Sequence, residues 1–466
     1  MVVGPVENKH VLVLGAGISG VAAAELALQS GARVTVLDGF TNATLVERAS
    51  RLSNRGATVH LEWAAETWRE SADVAVLSPG IGPDNVLGRL AQSLSCPVLG
   101  ELEFGFAYCA CPVLAVTGTN GKTTTVELAV HLLKGAGCKV IGAGNIGLPL
   151  SEAARKSAGL DYIVAEVSSF QLERADGFAP LAAAVLNITD DHGDRYENFD
   201  SYLKAKMQVI ANMRNPRRVV MRNDVHALPG VRAHPLFSQD RPVCFAPVGD
   251  DNAPIDSDYL VDSTGHLAWR RNGTAEPLLH RNKLRLQGTH NAENALAALA
   301  LCEAAGVTLG AVLPHLRTFA PSAHRLELVT AHNRVRYIND SKSTNPDAMV
   351  QALRTCAASR KGRILLIAGG RDKRMNFKPV IPYLEAHVKH VYLMGETRST
   401  LASLWSPHVA CRMYASLSAI VDDAVDDAEP GDTVLLSPGC ASHDMFSDYT
   451  QRGNSFAQEI RRRIGE

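Results

Sequence analysis

The sequence has almost no net charge. Its 47 lysine and arginine residues are balanced by 48 aspartate and glutamate residues, which leaves a formal charge of -1 over 466 residues. It lacks a basic excess or a lysine- and arginine-rich stripe, which is the electrostatic signature of nucleic-acid binding. We therefore expect no nucleic acid among the partners of this chain, and any phosphate that it binds must be held by a local site.

Apolar runs of membrane-spanning length are also missing, since the longest candidate, residues 295–302, is short and rich in Ala and Leu. Residues 1–10 lack the charged start, apolar core and small-residue cleavage site of a secretory signal. The nine cysteines show no paired metal-like spacing apart from the close Cys109 and Cys111, which fits a reducing compartment. These absences predict a soluble cytoplasmic protein without a membrane partner.

The most informative motif that is present is Thr117-Gly118-Thr119-Asn120-Gly121-Lys122-Thr123-Thr124, between an apolar, strand-like run and an amphipathic helical pattern. In this context the glycines let backbone N–H groups surround phosphate oxygens, Lys122 reaches the outer phosphates, and Thr123 holds Mg²⁺. Val116 stands where the common G-x-x-x-x-G-K-[ST] spacing has its first glycine. The motif predicts binding of a nucleoside triphosphate and phosphoryl transfer.

Strand-like and helical patterns alternate along the chain and restart near residues 101 and 322. At roughly 150 residues per domain, the length suggests three domains. The predicted fold class is α/β, with a Rossmann-like N-terminal domain at 1–100, a central P-loop ATPase-type domain with a parallel sheet at 101–321, and a C-terminal Rossmann-like domain at 322–466. A polar stretch at 248–276 is predicted to form surface hairpins and turns.

A second glycine-rich turn, Gly15-Ala16-Gly17-Ile18-Ser19-Gly20, follows the first strand pattern, and Asp38 closes the next strand. Such a turn brings the backbone close to a diphosphate and places a carboxylate for a sugar or a base. NAD, FAD and UDP-sugars all carry a diphosphate, so the motif alone leaves these ligands, and a turn without a ligand, open. Ser78-Pro79-Gly80 adds a loop at the carboxyl end of another strand.

Acidic and imidazole side chains end two strand patterns of the predicted central domain. Glu166 closes one strand, and Asp190-Asp191-His192 follows the next. A carboxylate and an imidazole suit Mg²⁺ only if phosphates and waters complete its octahedron. Lys206 lies in a helical pattern at 201–207, where spacing alone does not separate it from Lys204 and a solvated surface position is expected for both.

Three polar loops follow strand patterns of the predicted third domain. They are residues 339–346, 369–373 and 437–442. Two lysines, Lys342 and Lys373, accompany serine and threonine hydroxyls in these loops, which suits a small anionic substrate that bears more than one carboxylate.

Residues 117–124, 144–147, 166–172, His290-Asn291 and Asp340-Ser341-Lys342 together resemble the Mur ligases of peptidoglycan synthesis over almost the whole chain. Within that family the chain is most similar to the D-glutamate-adding members, through residues 15–20, 340–345 and 440–442. The resemblance implies an ATP-dependent, ADP-forming ligase that joins UDP-N-acetylmuramoyl-L-alanine to D-glutamate through an acyl phosphate. We expect it to act as a monomer.

The resemblance also implies roles for individual residues. Lys122, His192 and Lys206 are implied to be catalytic, with one Mg²⁺ held by Thr123 and Glu166 and a second by His192 and a carbamylated Lys206. The ATP-binding residues implied are Gly118, Thr119, Asn120, Gly121, Lys122, Thr123, Thr124, Asn291, Arg325 and Asp340. The UDP-substrate is implied to contact Ser19, Asp38, Ser78, Gly80, Asn145 and His192, and D-glutamate to contact Lys342, Thr344, Lys373, Ser442 and Tyr449.

Four residues depart from the family pattern. Gly39-Phe40 occupy positions at which some relatives have Thr-Arg beside the uracil. His443 occupies a position at which family members commonly have an apolar residue, and Tyr449 a position at which they often have Phe. Three other readings of the residues stay open: a sister ligase of Mur or folylpolyglutamate type that uses another amino acid, an NAD-dependent oxidoreductase, and a nucleotide-gated binding protein that performs no ligation.

Overall fold

The computed structural model describes residues 5–189, 191, 193, 195–246, 257–271, 273–286, 288–358, 362–371 and 375–465. The chain forms two compact units. The first comprises Met1–Ile188, Asp200–His280 and Glu293–Arg317, and the second Thr189–Phe199, Arg281–Ala292 and Thr318–Glu466. Strands and helices alternate and build three sheets, so the predicted α/β class is confirmed. The domain boundaries at 100 and 321 stay predictions.

The first sheet contains five parallel strands, and its central strand is wholly buried. The strands are β1 (His10–Leu14), β2 (Arg33–Leu37), β3 (Thr58–His60), β4 (Val74–Leu77) and β5 (Val98–Gly100), and the helices of this stretch are α1 (Ile18–Gln29), α2 (Ala43–Ser53) and α3 (Val86–Ser93). The strand order is β3-β2-β1-β4-β5. Since β2 and β4 flank β1 on opposite sides, the carboxyl end of β1 is a switch point of the topology, where ligands bind in open α/β sheets.

The second sheet has nine strands and carries the phosphate-loop motif. Its strands are β6 (Val113–Thr117), β7 (Val140–Gly144), β8 (Tyr162–Glu166), β9 (Ala182–Val185), β10 (Val219–Arg222), β11 (Val243–Phe245), β12 (Tyr259–Val261), β13 (His266–Arg271) and β14 (Thr274–His280). The helices between residues 101 and 312 are α4 (Glu101–Phe106), α5 (Lys122–Gly135), α6 (Leu150–Arg155), α7 (Ser169–Leu172), α8 (Phe199–Met207), α9 (Asn223–His226), α10 (Pro229–Arg232), α11 (Thr289–Ala304) and α12 (Leu309–Val312). The order is β14-β13-β12-β11-β10-β9-β6-β8-β7, so β6 lies between β8 and β9.

The antiparallel end of this sheet corrects part of the sequence interpretation. A hairpin is present, because β13 pairs with β14, but β12 and β13 also extend the central sheet. Tyr259, Leu267 and Ala268 are buried there, so this segment contributes to the core as well as to the surface. The sheet is therefore mixed at one edge. Residues 248–256 of the same prediction lie outside the described residues.

The third sheet has six strands: β15 (Glu327–His332), β16 (Val335–Asn339), β17 (Ile364–Gly369), β18 (Val388–Met394), β19 (Ala410–Met413) and β20 (Thr433–Leu436). Its helices are α13 (Pro346–Ala358), α14 (Ile381–His387), α15 (Arg398–Trp405), α16 (Leu417–Asp427) and α17 (Tyr449–Ile464). In the order β15-β16-β20-β17-β18-β19, β16, β20 and β17 are adjacent and parallel. The three polar loops that follow them therefore begin at one edge of one sheet.

Among the helices of the described residues, none is both long and apolar enough to cross a membrane.

Glu101, at the start of α4, predicts a pH dependence of stability. Its side chain is 1% exposed, one oxygen accepts from the N–H of Ser151 at 2.7 Å, and burial raises its pKa to about 6. The protonated carboxyl therefore stabilises the fold at low pH, and this contribution is lost as the pH rises through about 6. We expect the stability of Glu101→Gln relative to wild type to increase by about 2 kcal/mol between about pH 4 and pH 7, measured by urea unfolding. A difference that does not change with pH would contradict this assignment.

Candidate active site

The loop between β6 and α5 has the backbone shape of a phosphate cradle. Gly118 and Gly121 have φ angles of 150° and 85°, in the region that side-chain-bearing residues rarely adopt. A Cβ atom on Gly121 would lie 2.3 Å from Oδ1 of Asn294, so only glycine fits there. Helix α5 begins immediately afterwards at Lys122, and its N-terminal N–H groups favour an anion at this point.

Two lysine side chains meet on this loop. Nζ of Lys122 donates to the carbonyls of Gly118 and Thr119 at 2.9 and 2.8 Å. Nζ of Lys206, from α8, donates to the same Gly118 carbonyl at 2.8 Å and lies 4.6 Å from the centroid of the Tyr202 ring. The loop therefore brings the side-chain nitrogens of two lysines to one carbonyl, that of Gly118.

The position of Lys206 corrects the surface expectation that the sequence favoured. Lys206 is 2% exposed, whereas Lys204 on the same helix is exposed. The difference arises because the buried side of α8, which also carries Tyr202 and Leu203, includes position 206. Spacing had not distinguished the two lysines, but the fold does.

Thr123, Glu166 and Asn145 form a polar group next to the loop. The Thr123 hydroxyl donates to Oε2 of Glu166 at 2.7 Å, and Nδ2 of Asn145 donates to Oε1 at 2.9 Å. Glu166 is 2% exposed, so its carboxylate is oriented from both sides. A hydroxyl and a carboxylate are oxygen donors of the kind that Mg²⁺ prefers, and these residues fit that ion. Among the described residues no three His, Cys, Asp or Glu side chains form a metal-binding group, so phosphates and waters must supply further ligands.

Three further residues of this site were missed by sequence reasoning. Asn187 accepts from the N–H of Asn120 at 2.8 Å and donates to its carbonyl at 2.9 Å. The hydroxyls of Tyr202 and Thr119 lie 3.1 Å apart. Asn294 accepts from Thr125 at 3.4 Å, and its position three residues after Asn291, on the same helix, is the one signal that the sequence offered.

Four of the predicted UDP-site residues, Ser19, Asp38, Ser78 and Gly80, lie in the segments that follow β1, β2 and β4 of the first sheet. Both oxygens of Asp38 accept backbone N–H groups, from Ala16 at 2.7 Å and from Phe40 at 2.9 Å. Ser78 donates to the Gly15 carbonyl at 3.4 Å. Ser19 is partly exposed and Gly80 exposed. The Asp38 carboxylate thus supports the glycine turn itself, in addition to any contact with a ligand.

In the second unit, Asp340 links two of the polar loops. Its oxygens accept from the N–H of Leu326 at 3.1 Å and from the hydroxyl of Ser437 at 3.0 Å. Burial raises the pKa of Asp340 to about 7. Burial and the nearby Arg325 lower the pKa of His290 to about 4, which keeps that imidazole neutral at pH 7. Asn291 is buried, and Arg325 is partly exposed.

The loops that follow β16, β17 and β20 are joined by direct contacts. Gly439 donates to the carbonyl of Ser343 at 3.0 Å, and Arg371 donates to that of Ala441 at 2.9 Å. Nζ of Lys342 lies 3.9 Å from the centroid of the Tyr449 ring, a cation–π contact. Ser442 is buried and Thr344 partly buried. The structure therefore brings Lys342, Thr344, Ser442 and Tyr449 to one edge of the sheet.

Arg452 is a buried support of these loops that the sequence did not reveal. It is 0% exposed, and its guanidinium donates to the hydroxyl and carbonyl of Ser341 at 3.0 and 2.8 Å and to the Cys440 carbonyl at 3.1 Å. Burial lowers its pKa to about 10. The guanidinium thus ties the loop after β16 to the loop after β20.

Two of the predicted residues, His192 and Lys373, lie outside the described residues. Thr124 is buried in the first turn of α5, and Asn145 lies against Glu166 in the second sheet.

Most of the chain matches models of known protein families. Residues 116–302 match the description "Mur ligase middle domain", and residues 324–440 match "Mur ligase, glutamate ligase domain". Residues 1–76 match "Alanine dehydrogenase/PNT, C-terminal domain".

Curated relatives match nearly the whole chain. An enzyme of Thermoanaerobacter pseudethanolicus is 34% identical over 97% of this chain and 98% of its own length. One of Pelotomaculum thermopropionicum is 36% identical over 97% of both chains. One of Chlorobium luteolum is 38% identical over 98% of both chains. All three carry the name UDP-N-acetylmuramoylalanine–D-glutamate ligase.

Solved structures support the fold. MurC of Thermotoga maritima superimposes with a TM-score of 0.59 at 20% identity, covering 98% of this chain and 100% of its own. MurF of Thermotoga maritima, solved with ADP, gives a TM-score of 0.62 at 15% identity, covering 93% of this chain and 95% of its own. The resemblance noted from the motifs is confirmed: the chain belongs to the Mur ligase family of ATP-dependent, ADP-forming ligases, in the branch whose curated members carry the name UDP-N-acetylmuramoylalanine–D-glutamate ligase.

Proposed function

We propose that this protein joins D-glutamate to UDP-N-acetylmuramoyl-L-alanine in peptidoglycan precursor synthesis, with cleavage of ATP to ADP and phosphate. The observation that carries the proposal is the phosphate loop, where Lys122 and Lys206 meet on the Gly118 carbonyl beside the buried pair Thr123 and Glu166. The names of relatives that are 34% to 38% identical support the substrate pair.

The reaction follows from a carboxylate being a poor electrophile. An oxygen of the alanyl carboxylate attacks the γ-phosphorus of ATP, the bond to the β-phosphate oxygen breaks, and an acyl phosphate and ADP form. The amine of D-glutamate then attacks the acyl carbon and loses a proton, and phosphate leaves as the amide bond forms. Residues 118–124 bind the phosphates, and Lys122 neutralises charge that develops on the transferred group.

Members of the family use ATP and Mg²⁺. Thr123 and Glu166 would hold one ion, which supplies positive charge to the phosphate oxygens when it is bound. We propose a second position at His192 and a carbamylated Lys206. Lys206 is buried against the phosphate loop, which supports this assignment. Carbamylation would add oxygen atoms beside the loop that could bind the ion.

Lys206 and Lys204 provide a matched pair of variants. We expect Lys206→Ala to lower the ligation rate by roughly a hundredfold or more, because it removes a charged group from the phosphate site, and Lys204→Ala to leave the rate unchanged. After incubation with ¹³C-bicarbonate, wild type should give a carbamate signal by NMR that Lys206→Ala lacks. Equal rates in the two variants, or a carbamate signal that persists without Lys206, would contradict the assignment.

The remaining assignments divide the substrates among the three predicted domains. Residues 1–100 would bind the UDP-substrate, residues 101–321 ATP, and residues 322–466 the amino acid. The UDP-substrate residues proposed are Ser19, Asp38, Ser78, Gly80, Asn145 and His192; ATP would further contact Asn291, Arg325 and Asp340; D-glutamate would contact Lys342, Thr344, Lys373, Ser442 and Tyr449. We also propose that the protein acts as a monomer in the cytoplasm.

The proposed function is tested by measuring ADP release from purified protein with ATP and Mg²⁺. Release beyond a single turnover should require both UDP-N-acetylmuramoyl-L-alanine and D-glutamate, and L-glutamate and meso-diaminopimelate should not replace D-glutamate. Faster release of ADP with another amino acid would show that the chain uses a different acceptor. ADP release at the same rate with and without both substrates would exclude ligation.

A further inference from the structure

Asn345, in the loop after β16, makes side-chain hydrogen bonds in two directions. Its Oδ1 accepts from the N–H of Ala348 at 2.9 Å, and its Nδ2 donates to Oδ2 of Asp191 at 3.2 Å. Both Asn345 and Asp191 belong to the second unit, and Asn345 is 5% exposed. The second bond therefore joins the loop that carries Lys342 and Thr344 to the segment that follows β9.

The first of these bonds is a helix cap. Helix α13 begins at Pro346, so Asn345 is its N-cap residue and Ala348 the third helical residue, whose N–H an N-cap side chain accepts. Pro346 suits the first helical position, where no N–H partner is needed. Serine and aspartate cap about as well as asparagine, so the cap does not require the amide group. The amide N–H is the part that reaches Asp191.

We propose that Asn345 is a positioning residue for the amino-acid acceptor, which holds the Asp191 carboxylate against the loop of Lys342 and Thr344. The proposal rests on the proposed function, in which that loop binds D-glutamate. It assigns to Asn345 a role in acceptor binding that is separate from its role as a helix cap.

The charges around this loop give the physical reason. D-glutamate carries two carboxylates and one ammonium group, so its pocket needs cationic and hydroxyl groups on one side and an anion on the other. Lys342 supplies the cation and is supported by the Tyr449 ring at 3.9 Å. Asp191 supplies an anion next to the same loop, and the hydrogen bond from Asn345 holds its carboxylate in place. A charge held in place binds its partner better than one that must first be ordered.

The experiment uses Asn345→Ser and Asn345→Asp, which both keep a capping side chain but remove the amide donor. We expect the KM for D-glutamate to rise roughly tenfold to a hundredfold in Asn345→Ser, the loss that a hydrogen bond to a charged group produces. The rise should be at least as large in Asn345→Asp, because two carboxylates would then face each other. The KM values for ATP and the UDP-substrate should stay at wild-type values, and melting curves should show that both variants are folded at the assay temperature.

Asn85→Ser is the matched control, because Asn85 caps α3 by accepting from the N–H of Leu87 at 2.9 Å. It should leave every KM unchanged. A wild-type KM for D-glutamate in both Asn345 variants would overturn the proposal, as would an equal rise in the KM values for all three substrates.

Failure of the proposed function would look different from failure of this inference. Hydroxylamine traps an acyl phosphate formed without D-glutamate, and we expect wild type and Asn345→Ser to yield the same amount. A wild-type protein that gives neither trapped product nor D-glutamate-dependent ADP would refute the ligase function. A wild type that ligates while both variants match its D-glutamate kinetics would refute only the role of Asn345.

Discussion

Replacing Lys122 with alanine is expected to lower the ligation rate by about three orders of magnitude or more, because the variant loses the charge that neutralises the transferred phosphoryl group. In the structure Nζ of Lys122 is held at the loop by the carbonyls of Gly118 and Thr119 at 2.9 and 2.8 Å, directly where α5 begins. The measurement is ADP release at saturating concentrations of all three substrates.

Lys134→Ala is the matched control for this variant. Lys134 is exposed in the last turn of the same helix, so its loss should leave the rate unchanged. Melting curves establish that both variants are folded. A Lys122→Ala protein that is folded and ligates at the wild-type rate would contradict the assignment of the phosphate loop.

Replacing Glu166 with glutamine is expected to lower the ligation rate by roughly a hundredfold to a thousandfold, because it removes the charged oxygens that we propose hold Mg²⁺ beside the phosphates. The carboxylate accepts from Thr123 at 2.7 Å and from Asn145 at 2.9 Å. An amide has one acceptor oxygen and an NH₂ donor, so it cannot accept at both positions. The concentration of Mg²⁺ that gives half-maximal rate should also rise, and a titration of rate against Mg²⁺ measures both effects.

Glu152→Gln serves as the control for the loss of a carboxylate. Glu152 lies on α6 and pairs with Lys156 at 2.7 Å, with both side chains partly exposed, and such a pair contributes little. Its rate and Mg²⁺ dependence should match wild type. Wild-type Mg²⁺ dependence in Glu166→Gln would mean that Glu166 does not hold the ion.

The parts of the site that the sequence predicted are contiguous in the chain. Residues 117–124 contain the glycines, the lysine and the threonine of one loop, and a short segment between a strand and a helix determines their geometry locally. The strand patterns predicted before the polar loops 339–346 and 437–442 are confirmed as β16 and β20 for the same reason, since apolar runs bounded by polar loops are typical of buried parallel strands. The hairpin of β13 and β14 was predicted, but the joining of β12–β14 to the central sheet was not anticipated, because these short strands lie in a polar stretch.

The parts that were missed depend on which strands become neighbours. Asn187 contacts Asn120 because β9 pairs with β6, an adjacency that the order of strands along the chain does not determine. Burial of Lys206 depends on which face of α8 is packed. Arg452 resembles a surface arginine in the sequence and becomes buried only when α17 covers the loops after β16 and β20. Each of these residues acquires its role from packing between distant segments.

The transfer of oxygen from the carboxylate to phosphate tests the central claim most directly. UDP-N-acetylmuramoyl-L-alanine labelled with ¹⁸O in its alanyl carboxylate is ligated with ATP, Mg²⁺ and D-glutamate, and the released phosphate is analysed by mass spectrometry. If the phosphate loop activates that carboxylate as an acyl phosphate, one ¹⁸O atom should appear in each phosphate molecule formed. Phosphate free of ¹⁸O alongside normal formation of the amide product would contradict the account.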